Sequence, residues 1–160
     1  MSDTQELTEY QTLLRKAYLG EHFGDGFFGA MAEQQPDADR REKLETLQTV
    51  EARTATSLRR LASAAHVLGG EQESHHSGAE TAAGLDPADW NVFVNGLLQF
   101  LPDFLADFER LRDIGGTPVD PALTALVNHE RAIEQFAQLE ADGKPEKSLK
   151  PLQDHLRTPA

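Results

Sequence analysis

Apolar side chains recur every three or four residues along most of this chain, which is the spacing of one face of an α-helix. Residues 4–34 predict a first helix, whose inner face follows the series Leu7, Tyr10, Leu14, Ala17, Glu21, Gly24, Phe28 and Met31. A second helix is predicted from a cap at Asp37 or Asp39 to Leu68, with the series Leu44, Leu47, Glu51, Thr54, Leu58, Leu61, Ala65 and Leu68. No stretch alternates in the manner of a β-strand, so the pattern predicts an all-α fold.

Glycine and proline mark where the remaining helices begin and end. A third helix is predicted from Asp86-Pro87 to Gly115, a fourth from Pro121 to Gly143, and a short fifth over residues 146–156. The fourth helix carries the series Leu123, Leu126, Glu130, Ile133 and Ala137. The segment after Gly70 is polar and rich in small side chains, and it is predicted to be a loop of about 17 residues, 71–87.

The lengths of the connections predict how the helices are arranged. Short connections predict antiparallel hairpins for helices 1 and 2 and for helices 3 and 4. The long connection can reach over about 50 Å when extended, more than the roughly 42 Å of a 28-residue helix. We interpret it as a crossover that places helix 3 parallel to helix 2, with an ordinary flexible loop as the alternative. The prediction is one domain, 1–160, with a four-helix bundle in 4–142 and a short C-terminal helix and tail in 145–160.

Composition excludes several classes of protein. The 160 residues are 39% hydrophobic, contain no cysteine and carry a net charge of −12. This is enough apolar material for a core, and it rules out disulfides and thiolate chemistry. An acidic surface disfavours nucleic acid and anionic membranes, no apolar run is long enough to span a bilayer, and the polar N-terminus is unlike a signal peptide. We therefore expect a cytoplasmic protein whose charge serves solubility or attracts cations to an interior site.

Three glutamates interrupt the apolar series at one depth. Glu21 lies fifteen residues before Pro36 and Glu51 fifteen residues after it, so both are expected about 22 Å from that end of the bundle. Glu130 lies in the middle of its helix, with His129 beside it. Carboxylates gathered in an apolar core repel one another and are costly to bury. A divalent cation, nearby arginines or shared protons could neutralise them; the remaining alternative is that the helices are rotated and the glutamates face water.

This arrangement resembles the ferritin-like superfamily, which includes ferritins, bacterioferritins and rubrerythrins. The resemblance covers roughly residues 4–142 and consists of the three glutamates on helices 1, 2 and 4 and the long connection after helix 2. Members bind two irons through single glutamates on helices 1 and 3 and a Glu-x-x-His motif on helices 2 and 4. The resemblance implies that Glu21, Glu51 and Glu130 are ligands of iron, or of manganese or zinc.

The ligand set is incomplete by the standard of that superfamily. Thr54 and Ile133 occupy the two histidine positions. Helix 3 has no obvious glutamate in the middle of its core face, where Asn95 and Asp103 are the nearest candidates. We expect Thr54 to donate a hydrogen bond to a carboxylate. His129 is a candidate nitrogen ligand, with a histidine hydrogen-bonded to a neighbour as the alternative. The only Glu-x-x-His sequence, from Glu73 to His76, lies in the predicted loop and is expected to be solvated.

Four glycines in the first predicted helix form a further anomaly, because each costs about 1 kcal/mol of helix stability relative to alanine. Two of them, Gly20 and Gly24, flank Glu21, and the others are Gly26 and Gly29. We interpret them as sites of close helix packing, with a cavity beside Glu21 as the alternative.

Two classes of function fit these features. The first is a metal-binding protein, with a metal-dependent oxidoreductase among its forms, in which a degenerate site holds one ion rather than an active pair of irons. The second is a non-catalytic bundle that binds a partner protein or itself, and a homodimer is the expected assembly. A small-molecule binder or a metal-independent enzyme, in which Glu21 and Glu51 share a proton as acid and base, is a third hypothesis. Motifs of hydrolases, phosphate-binding loops and basic recognition helices are absent from the sequence.

Overall fold

The computed structural model describes residues 6–159, which form six α-helices, one short 3₁₀ turn and no β-strand. The elements are α1 (Glu9–Gln34), α2 (Ala38–Ala64), α3 (Glu71–Ala83), α4 (Trp90–Ile114), α5 (Pro121–Ala141), the 3₁₀ turn Pro145–Lys147 and α6 (Leu149–Arg157). The prediction of an all-α protein is therefore confirmed. Within residues 6–159, every helix is too short or too polar to cross a membrane.

The buried faces of α1, α2 and α5 follow the predicted three-four series through the middle of each helix. All five members of the α5 series are buried, as are the series residues between 14 and 31 in α1 and between 44 and 58 in α2. The ends differ, because Leu7 precedes α1 and Leu68 follows α2, and both are exposed. The second helix ends at Ala64 because His66 takes a left-handed conformation (φ 59°) and the Val67 amide closes the turn.

The segment predicted to be a loop, residues 71–87, contains α3 instead. This helix packs against α1 backbone to backbone. A Cβ built on Gly26 lies 2.0 Å from the carbonyl oxygen of His75, and one built on Gly78 lies 2.0 Å from that of Phe23. The loop prediction is wrong because the two residues that α3 buries are a glycine and an alanine, which carry little hydrophobic signal. Close packing, as predicted for the α1 glycines, is confirmed at Gly26.

Two contacts show which ends of α1 and α4 lie together. The Gln35 side-chain amide at the end of α1 donates to the carbonyl of Pro87 just before α4. At the other end, Arg110 of α4 lies 2.8 Å from Glu9 at the start of α1. α1 contacts α2 and α4, and α5 contacts the same two helices. α3 packs on α1, and α6 packs on α2 and α5.

A buried ion pair anchors the start of the C-terminal segment. Lys43 of α2 is 2% exposed, and its Nζ lies 2.6 Å from Oε1 of Glu140 near the end of α5. The hydroxyl of Ser148 donates to the same oxygen at 2.7 Å, and the indole of Trp90 donates to the other oxygen at 3.0 Å. We call these four residues the Lys43 cluster. It ties α2, α4 and α5 to the residue that precedes α6.

Candidate metal centre

The side chains of Glu21, Glu51, His129 and Glu130 meet midway along the helices, and we call them the carboxylate cluster. α1 carries Glu21, α2 carries Glu51, and α5 carries the other two. The exposed fractions of these side chains are only 3%, 9%, 0% and 6%, in sequence order. The prediction that the helices bring three glutamates together in the core is confirmed, and the alternative in which they face water is wrong.

The imidazole of His129 is the centre of this cluster. Its Nε2 lies 3.0 Å from Oε2 of Glu21, 3.4 Å from Oε2 of Glu130 and 3.9 Å from Oε2 of Glu51. Its Nδ1 contacts the carbonyl oxygen of Leu126, one turn earlier in α5. Since a carbonyl can only accept, Nδ1 carries the proton of the neutral ring. The lone pair of the ring is then on Nε2, the ring nitrogen that lies near the carboxylates.

Two buried polar atoms in the cluster have no hydrogen-bond partner. They are Oε2 of Glu21 and Nε2 of His129, which lie near each other without the alignment of a hydrogen bond. Such atoms are rare in folded proteins. Among residues 6–159, no lysine or arginine forms an ion pair with the three glutamates. The arginines near them in sequence bond elsewhere, to Leu156 from Arg53, to Tyr18 from Arg59 and to Glu109 from Arg131.

Burial shifts the protonation of all three carboxyl groups. It raises the pKa of Glu21 to about 8, and it raises the pKa of Glu130 to about 8. The pKa of Glu51 is also well above its ordinary value, first because of burial and then because of the neighbouring charge of Glu21. Without a bound cation, the cluster therefore holds protons at neutral pH.

The donor atoms are spaced as ligands of one ion would be. One atom each from Glu21, His129 and Glu130 lies within 4.8 Å of the other two. Ligands about 2.1 Å from an ion stand roughly 3.0 Å apart in adjacent octahedral positions and roughly 3.4 Å apart in a tetrahedron. The separations of Nε2 from the oxygens of Glu21 and Glu130 match these values. Mixed imidazole and carboxylate donors suit iron, manganese or zinc.

A glycine makes room for the fourth member of the cluster. A Cβ built on Gly24 lies 2.6 Å from Cδ of Glu51 and 2.7 Å from its Oε2. Any larger residue at this position therefore displaces the Glu51 carboxylate. Gly20, on the other side of Glu21, has nothing within 4 Å of its built Cβ.

Several other residues singled out in the sequence lie away from the cluster or face elsewhere. The Thr54 hydroxyl donates to the carbonyl of Val50 at 2.8 Å, so the predicted bond to a carboxylate is wrong. The side chains of Asn95 and Asp103 are exposed, so α4 brings neither to the carboxylate cluster. The residue of α4 that packs beside the cluster is Phe108, whose ring centroid lies 5.9 Å from that of His129. Glu73 and His76 are exposed on α3, as expected for solvated residues.

One residue beside the cluster has no counterpart among the predicted site residues. His155 of α6 is half-buried, and its ring centroid lies 6.4 Å from that of His129. Burial lowers the pKa of His155 to about 4, so its ring is neutral at pH 7. The signal in the sequence is weak, because Leu152 and Leu156 define the inner face of α6 and His155 lies at its edge.

Comparison of the chain with protein-family models, with curated proteins and with solved structures finds no match. The kinship with the ferritin-like superfamily therefore stays a prediction from the residues. The role of the carboxylate cluster has to be inferred from its own geometry and charge.

Proposed function

We propose that the carboxylate cluster binds a single transition-metal ion such as iron, manganese or zinc. Glu21, His129 and Glu130 are its ligands, and Glu51 is a further carboxylate beside them. The observation that carries this proposal is the pair of buried, unpartnered atoms, Oε2 of Glu21 and Nε2 of His129, 3.0 Å apart. Neither atom has a hydrogen-bond partner among the described residues, and a buried polar atom left without one is costly. A cation bound by both supplies the missing interaction.

The tautomer of His129 supports this role. A ligating histidine commonly donates its other ring N–H to a carbonyl or carboxylate, which fixes the orientation of the ring. The contact between Nδ1 and the Leu126 carbonyl does this from within α5. The lone pair is thereby on Nε2, the nitrogen that lies between 3.0 and 3.9 Å from the oxygens of the three glutamates.

The charge of the cluster also supports a cation. It contains three carboxyl groups and, among the described residues, no lysine or arginine paired with them. A divalent ion with one retained proton, or a trivalent ion, balances three carboxylates. Because Glu21 and Glu130 hold protons up to about pH 8 in the metal-free protein, binding releases protons and strengthens as the pH rises.

We also infer a distant kinship with the ferritin-like superfamily. It is supported by the glutamates on α1, α2 and α5. It is also supported by the segment between α2 and α4, which packs along α1 as α3 and brings Pro87 into contact with Gln35 at the end of α1. This is the position of the long crossover in that superfamily. Thr54 and Ile133 stand where members of that superfamily have histidines, and α4 places no acidic side chain in the carboxylate cluster. One bound ion is therefore favoured over a pair of irons that reacts with dioxygen.

Metal analysis of the purified protein tests the proposal. Protein from medium supplemented with iron, manganese and zinc is expected to retain about one equivalent of one of these metals. Glu21→Gln should remove most of it, whereas Glu73→Gln, a control on the exposed face of α3, should not. Less than about a tenth of an equivalent in the unaltered protein contradicts the proposal.

A second function, a metal-free bundle that associates with itself, is favoured by one observation. α4 exposes three large apolar side chains, Val92 (58%), Phe100 (61%) and Phe104 (41%). Exposed apolar patches often mark interfaces, and a homodimer is the proposed assembly. Sedimentation of the protein and of Phe100→Glu tests it: a dimer that the substitution dissociates supports the interface, and a monomer at every concentration contradicts it.

A further inference from the structure

The first half of α4 carries no charged side chain, although one side of it faces water. Acidic and basic residues make up 26% of the chain, so a stretch as long as residues 90–102 would ordinarily contain about three of them. It contains none, and its exposed positions include Asn91, Val92, Asn95, Gln99 and Phe100. Depletion of charge together with exposed aromatic side chains is typical of protein–protein interfaces.

The net charge of the chain indicates which partner this surface fits. Each copy carries a net charge of −12, so two copies repel each other wherever their acidic surfaces approach. On the uncharged surface of α4 they can meet without bringing carboxylates together. A basic partner, in contrast, would be attracted to the acidic parts of the molecule. A second copy of the same chain is therefore the occupant that the charge favours.

Four residues of α4 form a surface that is complementary to itself. Val92, Gly96, Phe100 and Phe104 recur every fourth residue, which places them along one ridge of the helix, and we call them the α4 stripe. A Cβ built on Gly96 has nothing within 4 Å, so the stripe has a gap beside the exposed ring of Phe100. When two copies of α4 cross in opposite directions at this point, each Phe100 ring lies over the partner's Gly96. Such pairing of one patch with itself is the geometry of a two-fold dimer.

Opposite helix directions suit the stripe better than equal directions. Parallel helices would set Phe100 against the partner's Phe100 and leave an empty space between the two glycines. They would also set the exposed carboxylate of Asp103 against its own copy. Antiparallel helices bring Asp103 near the start of the partner's α4, where the helix dipole favours a negative charge.

We propose that two copies of the chain pair through their α4 stripes, with antiparallel helices that cross near Gly96 and Phe100. This inference rests on the self-association proposed above as the second function, and it specifies the surface, the direction and the register. Contact along about 20 Å of helix covers less than the roughly 800 Å² per partner of a standard interface. The dimer is therefore a weak one that forms as the concentration rises.

Sedimentation of the full chain from about 1 μM to about 1 mM measures the dissociation constant. Phe100→Gln, which changes no charge, should weaken the dimer at least about tenfold. Val119→Gln is the matched control, because Val119 is an exposed apolar residue outside α4, and it should leave the dissociation constant unchanged.

Gly96→Gln separates the interface from the fold. The new side chain occupies the gap that receives the partner's Phe100, so the dimer should again weaken at least about tenfold. In the monomer it meets open space, and glutamine is a better helix former than glycine. The thermal stability of the monomer, measured at low concentration, should therefore hold or rise.

Salt tests the contribution of charge. Raising NaCl from about 0.05 M to about 0.5 M screens the repulsion between the two acidic copies, so the dimer should become stronger. An interface held by ion pairs would become weaker instead, and that result would overturn the proposed surface.

Cross-linking tests the direction of the helices, since the chain has no cysteine of its own. In the antiparallel pair, position 92 lies about 18 Å along the axis from the partner's position 92, and it lies close to the partner's position 104. A short bismaleimide should therefore link Val92→Cys to Phe104→Cys in a mixture and link neither variant to itself. Parallel helices would link each variant to itself and overturn the arrangement.

The outcomes separate this inference from the self-association on which it rests. A dimer whose dissociation constant is unchanged in both Phe100→Gln and Gly96→Gln overturns the pairing of the α4 stripes and leaves self-association standing. A monomer at every concentration and salt overturns both, and the uncharged surface would then belong to a different partner protein.

Discussion

The molecule buries two groups of charged side chains, and they are balanced in opposite ways. In the Lys43 cluster, the ammonium lies 2.6 Å from one oxygen of the buried Glu140 carboxylate, Ser148 donates to the same oxygen, and Trp90 donates to the other. The carboxylate cluster has three acids and an imidazole, with Oε2 of Glu21 and Nε2 of His129 left without partners. The first cluster is complete with protein groups alone, whereas the second requires protons or a cation from solution.

The pKa of a glutamate is therefore shifted in opposite directions in the two clusters. Burial raises the pKa of Glu140, but hydrogen bonds from Lys43, Trp90 and Ser148 outweigh it and bring the pKa below the ordinary value. At Glu21 burial prevails and raises the pKa to about 8. Glu140 is therefore charged and paired with Lys43, whereas Glu21 has no lysine or arginine partner and holds a proton at neutral pH.

Removal of the buried Lys43 ammonium should have the largest effect on stability. Lys43→Met leaves Glu140 buried without its counter-charge, so we expect a loss of about 3 kcal/mol in the free energy of unfolding. Urea denaturation measures it. Lys150→Met, which removes an exposed ion pair with Asp154, is the control and should cost less than about 0.5 kcal/mol. If both variants lose equally little free energy of unfolding, the buried ion pair of Lys43 and Glu140 does not stabilise the fold, which contradicts the prediction.

The stability of the metal-free protein should fall as the pH rises from about 5 to about 8. An unfolded glutamate loses its proton near 4.5, whereas folded Glu21 and Glu130 keep theirs to about 8. In this window the folded state binds more protons, so the free energy of unfolding decreases with pH. Thermal melts with a chelator should shift down by at least about 5 °C. The double variant Glu21→Gln/Glu130→Gln should flatten the profile; an identical slope in that variant contradicts the raised pKa values.

Neutralising a cluster glutamate should not weaken the metal-free protein, in contrast to Lys43→Met. At pH 8, Glu21→Gln removes a buried acid that has no lysine or arginine partner, so the stability should hold or rise by about 1 kcal/mol. Glu140→Gln should lower it, because Lys43 then loses a buried counter-charge. Denaturation of both variants with a chelator gives the comparison, and a loss of more than about 2 kcal/mol for Glu21→Gln contradicts it.

The smallest effect concerns two glycines of α1. Gly20→Ala meets open space and should add about 0.5–1 kcal/mol of stability through helix propensity. Gly24→Ala places a methyl 2.6 Å from the Glu51 side chain, so it should lose that gain and weaken metal binding. Melts and zinc titration of the two variants measure the difference. Equal stability and equal zinc affinity of the two variants would contradict this prediction, because the Glu51 side chain would then move aside at no cost.

Sequence reasoning succeeded where a helix carries large apolar residues and failed where packing uses small ones. The series in α1, α2 and α5 predicts the depth and direction of Glu21, Glu51 and Glu130 because helix geometry alone sets them. It misses α3, whose buried residues are Gly78 and Ala82, since close backbone contact leaves no hydrophobic period. Periodicity also does not indicate which residues of other helices a side chain contacts.

The site shows the same division. Three carboxylates at one depth could be predicted, but the tautomer of His129 depends on its contact with Leu126. The approach of His155 depends on how α6 docks, which Arg53 and the Lys43 cluster determine. These are tertiary contacts between residues far apart in the sequence, and no local pattern encodes them.

An anomalous difference map of a crystal soaked in Mn²⁺ tests the central claim most directly. The account predicts one strong peak inside the core, about 2.0–2.3 Å from Nε2 of His129 and from carboxylate oxygens of Glu21 and Glu130. A map without a peak there, with the carboxyl groups hydrogen-bonded to one another, would show that the cluster is satisfied by protons alone and would contradict the metal-binding function.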